Sequence, residues 1–208
     1  MLDRHLRPWI DPPLDRLGRR LAAAGVGANA VTLAGLVAGL MAAGAIVAGA
    51  FWLALGLIAL SRLADGLDGA VARARGPSDF GGYLDITADF LFYGAIPLAF
   101  VLHDPAANGA AGAFLLLSFY VNGASFLGYA ILAERHGLQT RSHGVKSLYF
   151  TAGLLEGAET ILFFVLLCLW PDGFAVLAWV FGGLCLVTAL ARLLLARRVF
   201  GQKPPRHG

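Results

Sequence analysis

The chain has 208 residues, of which 58% are hydrophobic and only 14% are charged, with a formal net charge of +3. Its mean hydropathy is +0.72. Soluble domains carry about a quarter charged residues, so this composition excludes an ordinary soluble domain and predicts an integral membrane protein. We expect one membrane domain, residues 1–208, and no nucleic acid partner. Cys168 and Cys185 lie in apolar runs, so they are expected to pack in the protein interior rather than to form a disulfide or bind metal.

The N-terminal segment, residues 10–24, is typical of a short amphipathic helix lying on the membrane surface. Pro12 and Pro13 suit its first turn. Three leucines recur at helical spacing, and the arginines between them would face anionic lipid headgroups; the leucines are Leu14, Leu17 and Leu21. Residues 1–28 contain five arginines and no apolar run typical of a signal peptide. We therefore expect no signal peptide here, and the first long apolar run, Ala30 to Ala50, to be a retained membrane helix.

Six apolar segments are long enough to cross a bilayer, which takes about 20 residues per helix. They are residues 30–49, 51–73, 82–102, 109–133, 148–170 and 174–196. Lysine and arginine cluster near both termini and around the 74–81 and 134–147 loops, whereas the other three connections contain neither. The positive-inside rule then places both termini and the basic loops in the cytoplasm. The predicted fold is all-α with six transmembrane helices.

Two acidic pairs interrupt the second and third predicted spans. Asp65 and Asp68 share one face of a helix, as do Asp85 and Asp89, with Gly81 one turn before Asp85. A carboxylate inside a membrane costs about 3 kcal/mol by insertion scales, so four together require neutralising cations. Hard carboxylate oxygens favour Mg²⁺ or Mn²⁺. We predict a metal site, with two ions as a plausible number because a pair could hold a pyrophosphate.

Two other interpretations also account for membrane acids. Arg62 precedes Asp65 by three residues and could simply pair with it. Clusters of membrane acids also line ion and proton pathways. Arg73 and Arg75, at the cytoplasmic end of the second span, would suit a phosphate or a lipid headgroup.

The whole stretch resembles the signature of the CDP-alcohol phosphotransferase family, D-x-x-D-G-x-x-A-R, then seven or eight residues, then G-x-x-x-D-x-x-x-D. Every fixed position is filled, with a seven-residue spacer; the residues are Asp65, Asp68, Gly69, Ala72, Arg73, Gly81, Asp85 and Asp89. The resemblance implies transfer of a phosphatidyl group from a CDP-linked lipid, with CDP-diacylglycerol as the expected donor, to a small alcohol, with release of CMP.

The resemblance also assigns roles to individual residues. It implies that all four aspartates lie at the metal ions, with Asp89 as the catalytic base. The residues expected to border the nucleotide are Gly69, Ala72, Arg73 and Gly81. Upstream, residues 28–32 resemble the Pro-Asn-x-x-Thr that opens the first membrane helix in this family, with Ala28 in place of proline. Asn29 is expected to cap that helix, and Thr32 to approach the nucleotide.

The acceptor is left open. Glu156 and Glu159 share a face of the fifth span and could bind acceptor hydroxyls or an ammonium group, or pair with Arg62, Arg192 or Lys146. Arg192 and the basic loop could hold a phosphate on the acceptor. Serine, glycerol phosphate, inositol and inositol phosphate are all candidates.

Two further function classes remain possible from the sequence. An intramembrane prenyltransferase also uses acidic motifs, Mg²⁺ and a pyrophosphate substrate, although its motifs usually lie far apart. A divalent-cation transporter could use the same acids, although no internal repeat is evident. Family resemblance further implies a homodimer, and a short chain with this signature is typical of a bacterial inner membrane protein. The positive-inside rule places its active site on the cytoplasmic side.

Overall fold

The computed structural model describes residues 3–137 and 157–201, with side chains from residue 11 onward. Every regular element in these ranges is helical, which confirms the all-α class. The helices are α1 Asp3–Ala23, α2 Ala28–Val47, α3 Phe51–Arg75, α4 Asp79–His103, α5 Pro105–Arg135, α6 Gly157–Leu169 and α7 Phe174–Phe200, with a short 3-10 turn at Pro171–Gly173.

Four segments are long and apolar enough to cross a membrane, namely α2, α4, α5 and the 3-10 turn with α7. The 20 residues of α2 extend about 30 Å, which matches the hydrocarbon core of a bilayer. The predicted second span, α3, is long enough but carries Arg62, Asp65 and Asp68 in its middle. The fifth predicted span, 148–170, is described only from Gly157. The count of six spans therefore stays a prediction.

Small residues bring the helices close together. A Cβ atom added at Gly39 of α2 would lie 2.6 Å from the Phe92 ring of α4, and one at Gly182 of α7 would lie 2.7 Å from the Phe114 ring of α5. Helices in a membrane associate through such close packing, since lipid tails are as apolar as leucine. Stacked rings join α4 to α7, with Phe100 and Phe174 centroids 5.1 Å apart. The helix α2 also packs on α3, since a Cβ at Gly35 would lie 2.9 Å from the Cβ of Ala64, so α2 contacts both α3 and α4.

The N-terminal helix is longer than predicted. It begins at Asp3 rather than near residue 10, so Pro12 and Pro13 lie inside it and not in its first turn. Proline lowers helix stability, but the C-terminal half of α1 is held by packing on α3, where a Cβ at Gly18 would lie 2.6 Å from the Cβ of Ala70. Leu17, predicted to share the apolar face, is 42% exposed.

The predicted cap of the first membrane helix was wrong. The α2 helix begins at Ala28, with Gly27 as its N-cap and no side-chain hydrogen bond at the cap. Because the helix starts two residues earlier than a cap at Asn29 would require, Asn29 lies inside it. Its Oδ1 atom would instead be 3.1 Å from a Cβ added at Gly81. The Asn29 side chain thus lies against the first turn of α4.

Candidate metal centre

A sharp turn brings the two acidic pairs together. The helix α3 ends at Arg75 and α4 begins at Asp79. Gly76 between them has φ of +99°, a conformation that side chains disfavour. The Ser78 hydroxyl caps α4 by accepting a hydrogen bond from the Gly81 N–H at 3.1 Å. The connection therefore directs the acidic pairs of α3 and α4 toward the same cleft.

Three carboxylates converge. Asp65, Asp68 and Asp85 each place an oxygen within 4.8 Å of the others. Two negative charges at that separation repel by about 3 kcal/mol if the effective dielectric constant is about 20. Such a set of hard oxygen donors fits Mg²⁺ or Mn²⁺. The structure thus brings together three of the four aspartates predicted to bind metal, and their chemistry suits the expected ion.

Thr32 contacts the carboxylates directly. Its hydroxyl donates a hydrogen bond to Asp68 Oδ2 at 2.6 Å, and both side chains are buried. The same hydroxyl lies 3.1 Å from the carbonyl oxygen of Ala28. A hydroxyl has a single proton, so the shorter contact to the charged oxygen dominates. Thr32, which the sequence placed near the nucleotide, orients a carboxylate in the structure.

Asp89 lies beside the three-carboxylate group and pairs with Arg62. The Arg62 Nη1 donates to Asp89 Oδ1 at 2.8 Å, and the same nitrogen is 3.7 Å from Asp65. The sequence predicted the Asp65 contact from helical spacing but missed the shorter contact to Asp89, which joins different helices. The sequence did contain a signal for this contact. Arg62 lies within an apolar span, and a charge in that environment needs a partner.

All four aspartates line a narrow cleft, together with Thr32 and Arg62. When all four carboxylates are ionised, they exceed the one guanidinium by three negative charges. A larger, open cavity of about 710 Å³ between α4, α5, α6 and α7 has mostly apolar walls, and Asp89 lines it as well. Asp89 therefore connects the carboxylate cleft to the larger cavity.

The signature arginine and its neighbour attach α1 to α3. Arg73 Nη2 donates to Asp15 at 2.7 Å, and Arg75 donates to the carbonyl oxygens of Gly25 and Val26 at 2.8 and 2.9 Å. Both arginines had been considered for a phosphate or headgroup. In the structure, Arg73 binds Asp15 within α1, and Arg75 binds the connection from α1 to α2.

The two glycines of the signature differ in how closely the rest of the chain surrounds them. A Cβ at Gly69 would lie 3.4 Å from Arg73 Nη1, and one at Gly81 would lie 2.9 Å from Ser78 Oγ. Ala72, expected to border the nucleotide with them, is half-buried near the end of α3. At Gly81 the chain's own neighbours already fill the space that a side chain would need.

The acceptor candidates are only partly described. Glu159 lies half-buried in the first turn of α6, whereas Glu156 and Lys146 fall outside the described residues. Arg192 is buried in α7 and donates to the Ser125 hydroxyl at 2.6 Å and to Asn122 Oδ1 at 3.0 Å. The sequence did not predict Ser125 and Asn122 of α5 as partners of Arg192. Arg192 also lines the larger cavity.

The family model for CDP-alcohol phosphatidyltransferases matches residues 26–191. The chain belongs to the CDP-alcohol phosphatidyltransferase family. It is 47% identical over 193 residues to the inner membrane protein YnjF of Escherichia coli (strain K12), covering 93% of this chain and 94% of YnjF. It is 40% identical over 87 residues to the archaetidylinositol phosphate synthase of Pyrococcus horikoshii, covering 41% of this chain and 46% of that one.

Solved structures share the fold of this CDP-alcohol phosphatidyltransferase. The phosphatidylinositol phosphate synthase PgsA1 of Mycobacterium tuberculosis with CDP-DAG bound has a TM-score of 0.69 at 22% identity, over 88% of this chain and 93% of that chain. The same enzyme in complex with manganese and citrate has a TM-score of 0.64 at 22% identity, over 87% of each chain. The chain therefore shares its overall fold with these two structures.

Proposed function

We propose that the protein transfers a phosphatidyl group from CDP-diacylglycerol to a small alcohol and releases CMP. The observation that carries the proposal is the convergence of Asp65, Asp68 and Asp85 within 4.8 Å in a chain that belongs to this family. The CDP-DAG in the related PgsA1 structure supports the choice of donor. Family membership favours this activity over the prenyltransferase and the cation transporter.

Asp65, Asp68 and Asp85 would hold Mg²⁺ or Mn²⁺. A divalent cation bound there supplies positive charge that stabilises the diphosphate and the departing CMP. The manganese in the second PgsA1 structure supports divalent metal in this family. The excess of three negative charges in the cleft is more than one divalent ion offsets, which favours the two ions expected from the sequence. Thr32 would fix the orientation of Asp68.

Asp89 is proposed as the base that receives the proton of the acceptor hydroxyl. That oxygen then forms a bond to the phosphorus bearing the diacylglycerol, the bond from this phosphorus to the bridging oxygen breaks, and CMP leaves. Asp89 is suited to this role because it lines both the carboxylate cleft and the larger cavity. A base must lie within hydrogen-bond reach of its proton donor, and the larger cavity offers space for the acceptor.

The nucleotide is proposed to lie along Gly69 and Ala72, whose small side chains permit close approach. Gly81 would border it at the start of α4. For Arg73, the contact with Asp15 supports a role in holding α1 at the edge of this site. Arg192 is a cation in the larger cavity that would suit a phosphorylated acceptor, as would be needed for an inositol phosphate or glycerol phosphate.

For the protein in its membrane, we propose an integral inner membrane protein with six spans, both termini cytoplasmic and α1 on the membrane surface. The relative YnjF is named as an inner membrane protein. Basic residues end α3, α5 and α7, and the carboxylates lie toward that end. By the positive-inside rule the site faces the cytoplasm. A homodimer is expected from the family resemblance.

An acceptor screen tests the function. Purified protein would be given radiolabelled CDP-diacylglycerol and Mn²⁺ with serine, glycerol 3-phosphate, inositol or inositol phosphate, and the labelled lipids would be separated. We expect one acceptor to give a new lipid together with an equal amount of CMP, and Asp68→Asn to give neither. Failure of every acceptor with protein that still binds Mn²⁺ would contradict the proposal.

A further inference from the structure

The larger cavity has a few polar side chains set in walls that are otherwise formed by hydrophobic residues and glycines. The polar side chains come from all four surrounding helices; in the described part of the chain they are Asp89 and Tyr93 of α4, Tyr120 and Asn122 of α5, Thr160 of α6 and Arg192 of α7. Ligand pockets are typically built in this way, with a small number of polar groups that fix the orientation of the ligand. These side chains therefore indicate which atoms of an acceptor the cavity can bind.

Tyr93 lies one helical turn after Asp89. The two side chains are on the same face of α4, and both line the larger cavity. Tyr93 is half-buried, and its hydroxyl reaches the start of α6, since a Cβ added at Gly157 would lie 3.5 Å from it. The Tyr93 hydroxyl is thus on the cavity wall between α4 and α6, one turn beyond the residue proposed as the base.

Aromatic packing holds the Tyr93 ring in place. Its centroid is 5.6 Å from that of Phe92 and 6.2 Å from that of Phe164 of α6. The Cζ atom of Arg62 lies 5.9 Å from the Tyr93 ring centroid, within the range at which a cation is attracted to an aromatic face. A ring held on several sides loses little further freedom when its hydroxyl binds a ligand, so the Tyr93 hydroxyl is preorganised for binding.

The polar groups of the cavity suit hydroxyl groups better than an ammonium group. The side chains of Tyr93, Asn122 and Thr160 can each donate and accept hydrogen bonds, as the hydroxyls of an acceptor also can. Along the described walls of the cavity, Asp89 is the only carboxylate, and Arg62 pairs with it at 2.8 Å. The ammonium group of an amino alcohol would therefore find no second carboxylate among these residues.

We propose that Tyr93 is a specificity-determining residue, which binds a second hydroxyl of the acceptor while the first hydroxyl lies at Asp89. The inference rests on the proposed function. It narrows the acceptor to a polyol, with or without a phosphate, and excludes an amino alcohol such as serine. The placement of both groups on one face of α4, along one cavity, carries it.

The first test removes the hydroxyl of Tyr93 in the intact protein in detergent. Tyr93→Phe keeps the ring that packs on Phe92 and Phe164. CMP release is measured with glycerol 3-phosphate, inositol and inositol phosphate as acceptors. We expect KM for the acceptor to rise about tenfold, because one hydrogen bond to the bound alcohol is lost. KM for CDP-diacylglycerol and the affinity for Mn²⁺ should each change by less than about twofold.

The second test removes the hydroxyl from the acceptor instead. Glycerol 3-phosphate and 3-hydroxypropyl phosphate differ only in the hydroxyl beside the reacting one, and mono-deoxy compounds serve in the same way for inositol and inositol phosphate. We expect the wild type to use a deoxy compound about tenfold less efficiently, by kcat/KM, and Tyr93→Phe to use both compounds equally within about twofold. A residue that only supported the fold would, when replaced, lower the two efficiencies alike.

Tyr120→Phe is the matched control, since it makes the same chemical change at another tyrosine of the cavity, one that is 75% exposed. It should discriminate between the two compounds as the wild type does. Discrimination retained in Tyr93→Phe, or serine as the acceptor of the wild type, would overturn the inference while CMP release upholds the proposed function. A wild type that binds Mn²⁺ but releases no CMP with any acceptor would instead overturn the proposed function.

Discussion

Asp68 is the carboxylate most constrained by a single neighbour, since Thr32 donates to it at 2.6 Å. Replacing Thr32 by valine keeps the shape of the side chain but removes this hydrogen bond. Groups that orient a metal ligand typically contribute about 10–100-fold to affinity or activity. We expect Thr32→Val to weaken Mn²⁺ binding by about tenfold, as measured by titration. Thr87→Val, which removes an exposed hydroxyl bonded to the Tyr83 carbonyl, is the matched control and should bind Mn²⁺ normally.

Replacing Asp89 should affect turnover without affecting substrate binding. Asp89→Asn keeps an acceptor for the Arg62 hydrogen bond but removes the basic oxygen. We expect turnover to fall by at least about 100-fold, since general base catalysis contributes about 10²–10⁴-fold, while affinity for CDP-diacylglycerol stays within about threefold. The rate of CMP release measures turnover, and equilibrium binding of the CDP-lipid measures affinity. Asp79→Asn, an exposed acid in the first turn of the same helix, serves as control. Equal losses of binding and turnover would remove Asp89 from the role of base.

Among individual residues, those parts of the site that depend on local spacing could be predicted from the sequence. The pairs Asp65 with Asp68 and Asp85 with Asp89 follow from the helical repeat, and the short connection brings them together. The Arg62 contact with Asp89 spans 27 positions, and no local rule specifies it. The cap at Asn29 was wrong because glycine can begin a helix without a side-chain hydrogen bond.

The contact between α1 and α3 is the element-scale feature most open to test. A Cβ at Gly18 would lie 2.6 Å from the Ala70 Cβ and 2.9 Å from its backbone carbon, so Gly18→Ala must push the helices apart. Overpacking typically costs about 1–3 kcal/mol. We expect a lower thermal unfolding temperature in detergent, together with reduced turnover.

Gly56→Ala is the control for this substitution, since the position lies within α3 and a Cβ there meets nothing within 4 Å. It should keep or slightly raise the unfolding temperature, because alanine favours helix over glycine. Equal behaviour of the two variants would show that α1 does not press on α3 through Gly18.

The extents of the elements were predicted unevenly. The apolar helices α2, α4, α5 and α7 follow from hydropathy over long windows, and their bounds lie close to the predicted spans. The start of α1 could not be predicted from Pro12 and Pro13, which are ordinary signals for a first turn. Packing of the following residues on α3 overrides that local signal, and packing of this kind is invisible in sequence.

For the whole molecule, the uneven distribution of basic residues predicts the orientation in the membrane. Basic residues end α3 beside the carboxylates, whereas the connection from α2 to α3 has none. Ala74→Cys and Ala48→Cys place a thiol in exposed positions at opposite ends of α3. We expect a membrane-impermeant maleimide to label Ala48→Cys in spheroplasts and Ala74→Cys in inverted vesicles. The wild type should stay unlabelled, since Cys168 and Cys185 are buried; the reverse pattern would contradict the orientation.

The class of the protein could be predicted from composition alone, but the number of spans could not. The helix α3 carries three charged residues of the site, Arg62, Asp65 and Asp68. Because of its charges, α3 is not among the helices that are apolar enough to be identified as membrane spans. Function and membrane insertion place opposite demands on this helix. Its neighbours α1, α2 and α4 shield its polar residues, a property of the assembled molecule and not of the segment.

The dependence of CMP release on a divalent cation tests the central claim most directly. CDP-diacylglycerol and the acceptor found by the screen are given to the wild type in Mn²⁺, in excess EDTA, and in EDTA followed by Mn²⁺, and CMP is measured over time. The account predicts that release stops in EDTA, returns with Mn²⁺, and is absent from Asp68→Ala in every condition. Undiminished release in EDTA, or from Asp68→Ala, would contradict the role given to the carboxylates.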